Sequence, residues 1–88
     1  MSNIEQPIKD YIAREFLFDS PEKIVGNDDL LIQDGIIDSL GIFLMISFIE
    51  QEFGIKVQPA EVVLENFESV TAIRNLVMSK MAAKPASV

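Results

Sequence analysis

The sequence predicts an all-α protein, a four-helix bundle with a short third helix and a long loop between the first and second helices. Three observations lead to this fold class. Apolar residues recur at helical spacing in three separate stretches of the 88 residues. Residues that favour turns collect between those stretches. The β-rich fragment at residues 55–57 is too short to build a sheet.

The first helix is predicted over residues 4–18. Pro7 fits there because a proline is tolerated in the first turn of a helix. The residues spaced to form one apolar stripe are Ile4, Ile8, Tyr11, Ile12 and Phe16. The segment DSPEK at 19–23 ends this helix, and residues 19–38 form the long loop. Loops of this length are often functional, and this one contains apolar residues that can anchor it: Ile24, Val25, Leu30, Leu31, Ile36 and Ile37.

The second helix is predicted from Ser39 to Phe53, with Ser39 as its N-cap and Gly54 just past its end. Its core stripe is predicted to be Ile42, Met45, Ile46, Ile49 and Phe53. The opposite side is apolar as well in the first half of the helix. We therefore expect Leu40 and Leu44 to form an exposed apolar patch, which commonly marks a protein-binding face. For Phe43 and Phe48, exposure and coverage by the long loop or the third helix remain open alternatives.

The short third helix is predicted within residues 55–67, with Pro59 at its first position. Its inward-facing residues are predicted to be Val62, Val63 and Leu64. Ser69 is the predicted N-cap of the last helix. The inner face of that helix is predicted to be Ile73, Leu76, Val77 and Met81. Residues 1–83 make one predicted domain, and residues 84–88 a frayed tail.

Composition restricts the partners. Seven basic and 14 acidic residues give a formal net charge of −7. This charge argues against nucleic acid, whose binding depends on Lys and Arg neutralising phosphates, and against anionic membrane surfaces. It favours partners with basic patches. No apolar run is long enough for a membrane span and no signal-peptide core is visible, so we expect a cytoplasmic monomer without membrane insertion.

Two chemical functions can be weighed on the residues alone. With Gly35 at the sixth position of an EF-hand loop, the first, third and twelfth positions are Leu30, Ile32 and Gly41, which cannot ligate calcium through their side chains. We therefore expect no metal site. A serine hydrolase at Ser39 lacks a histidine base, because the chain has no histidine, and lacks the G-x-S-x-G elbow. A Ser–Lys pair stays open, but so small a chain leaves little room for a substrate pocket, and we predict that it is not an enzyme.

The segment Asp38–Leu40 (DSL) lies between NDDLLIQDGII and FIEQEFGIKV. With ENF and SVTAI farther along, it resembles the acyl carrier protein and peptidyl carrier protein family, from about Ile4 to Met81. The resemblance implies that Ser39 bears a 4′-phosphopantetheine arm, transferred from coenzyme A by a phosphopantetheinyl transferase with magnesium. It also implies that Asp38 helps to hold that metal in the transferase complex and that Leu40 contributes to partner recognition. The arm would supply the thiol that this cysteine-free chain lacks.

The sequence departs from carriers of fatty-acid synthesis, which typically have acidic residues two and five positions after the modified serine. Gly41 and Leu44 occupy those positions here, although Glu50 and Glu52 lie farther along. We expect a more apolar partner face, consisting of Gly41, Phe43, Leu44 and Phe48. We also expect a specialised pathway, for polyketides, nonribosomal peptides or modified fatty acids. A glycine just after the motif also resembles D-alanyl carriers, so an aminoacyl carrier is the alternative.

The predicted function is thus a discrete carrier that holds an acyl or aminoacyl thioester. Its expected partners are the transferase and separate loading ligases, synthases or transferases, acting in trans because no linker to a multienzyme is visible. A different class remains open: an unmodified helical adaptor that binds partners through the apolar face of the second helix.

Overall fold

The computed structural model describes residues 4–17 and 24–83. These residues form helix α1 (Glu5–Phe16), helix α2 (Ser39–Phe53), a 3₁₀ turn (Pro59–Glu61), helix α3 (Leu64–Phe67) and helix α4 (Val70–Ala83). They contain no strand. The predicted all-α, four-helix class with a short third helix is confirmed. No helix in the described ranges is both long enough and apolar enough to cross a membrane.

One hydrophobic core joins the long helices, the loop before α2 and helix α3. Its most deeply buried side chains are Ile8, Ile12, Leu31, Ile37, Met45, Ile49, Phe67, Val70, Ile73 and Val77. The predicted stripe of α1 faces this core: Ile4, Ile8 and Ile12 are buried, while Tyr11 and Phe16 are partly buried. The predicted stripe of α2 faces it too, with Met45 and Ile49 buried and the other three residues partly buried. The 3.6-residue period therefore predicts both helix faces.

The described part of the long loop, residues 24–37, is anchored as expected through Val25, Leu31, Ile36 and Ile37, which are all buried. Ile24 and Leu30 were expected to help and do not, because their side chains are 86% and 38% exposed. Backbone hydrogen bonds also hold the loop. The Leu31 amide donates to the Glu68 carbonyl at 2.8 Å, and the Thr71 amide donates to the Asn27 carbonyl at 2.9 Å. The predicted stop at residues 19–23 lies outside the described residues.

The third helix differs most from its prediction. Val62, Val63 and Leu64 were expected to face inward, but they are 36%, 41% and 59% exposed. The reason is that the segment splits into a 3₁₀ turn without buried residues and a four-residue helix that reaches the core through Phe67. A single apolar stripe cannot continue across that break. The prediction of Pro59 at the first helical position is confirmed.

Helix α4 begins as predicted, since Ser69 Oγ accepts a hydrogen bond from the Ala72 amide at 3.1 Å. Ile73, Leu76 and Val77 are buried, as expected. Met81 was expected on the inner face and is 43% exposed. Among the described residues, Val77 is the last residue of the buried core, and Met81 lies one turn beyond it. The predicted frayed tail, 84–88, lies outside the described residues.

Candidate functional site

Ser39 is the first residue of α2, and it is exposed. It was predicted to be the N-cap, and this is wrong by one residue. Asp38 is the cap: its backbone is extended and its Oδ1 accepts a hydrogen bond from the Gly41 amide at 2.7 Å. Aspartate caps a helix as well as serine does, and its charge also suits the positive end of the helix dipole. The Ser39 hydroxyl is therefore not needed as a cap, and it makes no hydrogen bond to any residue that the structure describes.

An apolar patch lies on the outside of the first two turns of α2. It consists of Leu40, Phe43 and Leu44, which are 69%, 61% and 45% exposed. Residues three and four apart share one side of a helix, so these three side chains form a single surface beside Ser39. The expected exposure of Leu40 and Leu44 is confirmed, and Phe43 is exposed rather than covered.

Phe48 does not belong to this patch. It is partly buried, and its ring stacks on Tyr11 with centroids 4.2 Å apart and meets Phe53 edge to face. It is thus covered by α1, which was neither of the two covering elements expected. The sequence left its exposure open, because the direction of α1 across α2 depends on long-range packing.

Gly41 is also not an exposed member of a partner face, because it is buried. A β-carbon built there would lie 2.7 Å from Ile37 Cγ2 and 2.8 Å from Phe16 Cε1, closer than side chains normally approach. Gly41 is therefore a point of close packing. Sequence reasoning missed this contact, although an isolated glycine inside an apolar helix is a known sign of close approach.

The acids farther along α2 lie away from the patch. Glu50 Oε2 accepts a hydrogen bond from the Val57 amide at 2.9 Å, so Glu50 holds the segment that follows the helix. Glu52 borders a cleft on the α1 side with Pro7, Asp10 and Arg14. The apolar character of the surface beside Ser39 is therefore not offset by these carboxylates.

Polar contacts hold the segment between α2 and α3. Glu61 Oε1 accepts hydrogen bonds from the Gln58 amide and from Lys80 Nζ of α4, each at 2.8 Å. Chiefly the hydrogen bond from Lys80, and then that from Gln58, lowers the pKa of the Glu61 carboxyl. Next to this segment, a cleft of about 260 Å³ is lined by Leu30, Ile32, Gln33, Leu64 and Glu68. Sequence reasoning did not foresee this cleft, because it assigned both leucines to the interior.

Metal binding by the chain itself has no support in the described ranges, where no three Asp, Glu, His or Cys side chains are grouped to hold an ion. Comparison with family models finds no match. Comparison with curated proteins finds the acyl carrier protein of Buchnera aphidicola subsp. Baizongia pistaciae (strain Bp), which is 36% identical over 77 residues. The aligned region covers 88% of this chain and 94% of that protein.

The chain belongs to the acyl carrier protein family. Acyl carrier proteins are carriers and not enzymes, so the chain has an acyl carrier role, as predicted. Members of the family generally bear phosphopantetheine and interact with enzymes, including phosphopantetheinyl transferases. The similarity over most of both chains agrees with the helical architecture of the carrier.

Proposed function

We propose that Ser39 is the attachment point of a 4′-phosphopantetheine arm, and that the chain carries an acyl or aminoacyl group on the thiol of that arm as a thioester. The observation that carries this proposal is the state of the Ser39 hydroxyl. It is exposed at a helix N-terminus, and Asp38 performs the capping that would otherwise occupy it. A helix N-terminus also favours a phosphate, so the site suits a phosphodiester on its first residue.

In the loading step, Ser39 Oγ attacks a phosphorus atom of coenzyme A. A new O–P bond forms, the pyrophosphate bond of coenzyme A breaks, and the nucleotide half leaves. The serine proton passes to a base of the transferase, because the chain has no histidine to accept it. We propose that Asp38, which remains exposed while it caps the helix, also helps to hold the magnesium ion of the transferase complex.

The partner face proposed for this carrier is the apolar patch of Leu40, Phe43 and Leu44. Gly41 and Phe48 are left out because they are packed against α1. Fatty-acid carriers typically have acids at the positions of Gly41 and Leu44. The apolar patch therefore supports a specialised pathway, whose loading and processing enzymes would handle acyl or aminoacyl cargo. The exposed fractions of the three side chains, all of 45% or more, support this surface.

Intact mass spectrometry tests the attachment. Incubation with coenzyme A, magnesium and a broad-specificity transferase should add one phosphopantetheine to the wild type and nothing to Ser39→Ala. Ser47→Ala is the matched control, because Ser47 is also an exposed serine of α2. A wild type that gains no mass would overturn the proposal and favour the unmodified adaptor, which would use the same apolar patch.

The proposed role of Asp38 in holding magnesium is tested by replacing its carboxylate with an amide. Asn caps helices as well as Asp, so Asp38→Asn should lower the melting temperature only slightly, through the lost charge at the helix dipole, while slowing modification strongly. Asp34→Asn, at an exposed aspartate of the preceding loop, is the control. Equal modification rates for both variants would remove Asp38 from the metal site.

A further inference from the structure

Two aromatic residues of α1 hold the start of α2 from the side of the core. The Phe16 ring packs against Gly41 in the first turn of α2, where a β-carbon would lie closer than side chains normally approach. One turn farther, the Tyr11 hydroxyl donates a long hydrogen bond, 3.2 Å, to the Leu44 carbonyl. The two rings meet edge to face, with centroids 6.0 Å apart. The first two turns of α2 are therefore fastened to α1 at two neighbouring points.

These contacts lie close to Ser39 along the helix. Asp38 and Gly41 bracket the serine and are joined by the capping hydrogen bond of 2.7 Å. Any displacement of Gly41 away from Phe16 would thus also move the capped turn that carries Ser39. The side chains of Ser39 and Leu40 remain exposed while Gly41 is buried. The first turn of α2 is therefore packed against α1 on one side and exposed to solvent on the other.

We propose that Phe16 and Gly41 form a positioning contact, which holds the first turn of α2 in the orientation in which Ser39 meets the modifying transferase. This inference rests on the proposed function, because it assumes that Ser39 is modified. It has a consequence for specificity. Because Gly41 has no side chain and packs against α1, partners that bind this turn contact Leu40 and the rest of the apolar patch instead.

Gly41→Ala tests the contact directly. Alanine favours a helix more than glycine does, so local propensity alone would predict a gain. The contact predicts a loss: the added methyl group meets Phe16 and Ile37, so either these side chains or the turn itself must shift. A misplacement of about 1 Å can slow a reaction on the order of a hundredfold. We expect kcat/KM for phosphopantetheine transfer to fall by about tenfold to a hundredfold, mainly in kcat.

A double variant that makes residue 16 smaller and residue 41 larger gives the decisive comparison. Phe16→Leu shortens the side chain that occupies the space, so Phe16→Leu with Gly41→Ala should recover most of the rate lost in Gly41→Ala. If the two effects simply multiply in the double variant, the contact does not position the serine. Ser47→Ala, at an exposed position of the same helix, should keep the wild-type rate.

The single tyrosine supplies a readout independent of modification, since the chain has no tryptophan. Burial, more than the nearby Glu15, raises the pKa of the Tyr11 hydroxyl, while Arg14 opposes this. The Phe16 ring meets Tyr11 edge to face, so its displacement should move the tyrosinate titration of Gly41→Ala toward the ordinary value. An unchanged titration together with an unchanged transfer rate would overturn the inference.

The failures can be told apart. A wild type without any mass gain overturns the proposed function. A modified wild type with an equally modified Gly41→Ala overturns only the positioning contact. If Gly41→Ala does not fold, Phe16→Leu alone decides, because it weakens the same contact without adding an atom at position 41. Wild-type kcat in folded Phe16→Leu would then refute the proposal.

Discussion

At the scale of single residues, Asp38 caps α2 and leaves the exposed Ser39 side chain for the proposed attachment, although one serine could have filled both roles. Asp38 accepts the hydrogen bond from the Gly41 amide, and this satisfies one of the unpaired amides at the start of α2. Ser39 follows it with an exposed side chain that the fold does not use. A modification at Ser39 therefore costs the helix none of its capping.

This division predicts different costs for two alanine substitutions. Ser39→Ala should change the free energy of unfolding by no more than about 0.5 kcal/mol, as for other exposed positions. Asp38→Ala should cost about 1 kcal/mol through loss of the cap. Urea unfolding of both variants beside the wild type measures the difference. Equal destabilisation by both would mean that the serine shares in the cap.

Leu44 offers a test of the apolar patch. Its side chain is 45% exposed, and its link to Tyr11 is made by the backbone carbonyl. Leu44→Glu should therefore alter stability by about 0.5 kcal/mol or less. The same variant should slow acylation by the native loading enzyme, because an unpaired carboxylate is costly to bury in an apolar interface.

The control for this prediction is Leu44→Gln, which is polar and close in size but carries no charge. A smaller loss of acylation in Leu44→Gln than in Leu44→Glu would assign the difference to charge. A large fall in the melting temperature of either variant would place Leu44 in the core. Unchanged acylation in both would leave the residue exposed but unused by that enzyme.

At the scale of elements, the connection between α2 and α4 is held by few apolar side chains. Phe67 is 2% exposed and is the buried residue of α3, whereas Leu64 at the start of that helix is 59% exposed. The 3₁₀ turn before it has no buried residue and is held by the hydrogen bonds of Glu61. Nearer to α2, Ile55 is buried and the Val57 amide donates to Glu50, so a few apolar side chains and several hydrogen bonds fix this connection.

The two apolar residues of α3 should respond unequally to truncation. Phe67→Ala should cost about 3–5 kcal/mol, since it removes a buried ring and leaves a cavity. Leu64→Ala should cost within about 0.5 kcal/mol, since its side chain is mostly in solvent. Thermal unfolding compares them. A similar loss in both variants would indicate that Leu64 is buried, as its sequence pattern suggested.

Glu61 should make stability depend on pH. Its pKa is lower in the folded chain than its ordinary value of 4.5, so the folded state favours the carboxylate. Its stabilising effect is fully present above that ordinary value and is lost as the pH falls through the lower native pKa. The difference in stability between wild type and Glu61→Gln should therefore be largest at neutral pH and shrink in acid.

Denaturant unfolding across that pH range measures this, with Glu65→Gln as the control. Glu65 is exposed and makes no hydrogen bond or ion pair with the residues that the structure describes. A pH-independent gap between wild type and Glu61→Gln would show that the carboxylate charge is not what holds the turn.

At the scale of the whole molecule, the negative charge and the proposed docking surface are partly separated. The chain has a net charge of −7, yet the first turn of α2 has no acidic residue and bears the start of the apolar patch, with the exposed Asp38 as the acidic neighbour of Ser39. Charge can then guide approach to a basic partner, while burial of apolar side chains supplies most of the binding free energy.

The expected result is a weak dependence of partner affinity on salt. Raising the ionic strength from about 0.1 M to about 1 M shortens the Debye length from about 10 Å to about 3 Å. Over that range, the Kd for the transferase should rise by less than about tenfold, which corresponds to about 1.4 kcal/mol. Calorimetric titration measures it. A much steeper rise would mean that acidic side chains dominate the interface.

Local signals were enough for much of this fold. The period of Ile8 and Ile12 in α1 and of Met45 and Ile49 in α2 predicted the buried faces, because a helix repeats every 3.6 residues wherever it lies. Gly54 was predicted to end α2, and it adopts the left-handed conformation with a φ of 65°. The DSL segment placed Ser39 at the start of that helix before any packing was known.

Only tertiary structure decided the surroundings of that serine. Whether Gly41 and Phe48 face solvent depends on where α1 crosses α2. The Phe16 ring covers Gly41, and the Tyr11 ring stacks on Phe48. Whether Leu64 is buried depends on how the chain breaks before α3. These outcomes are set by contacts between residues far apart in sequence, and no local periodicity records them. The sequence by itself predicted Ser39 at the start of α2 as the proposed attachment residue, and the packing of α1 determined how that helix turn is held.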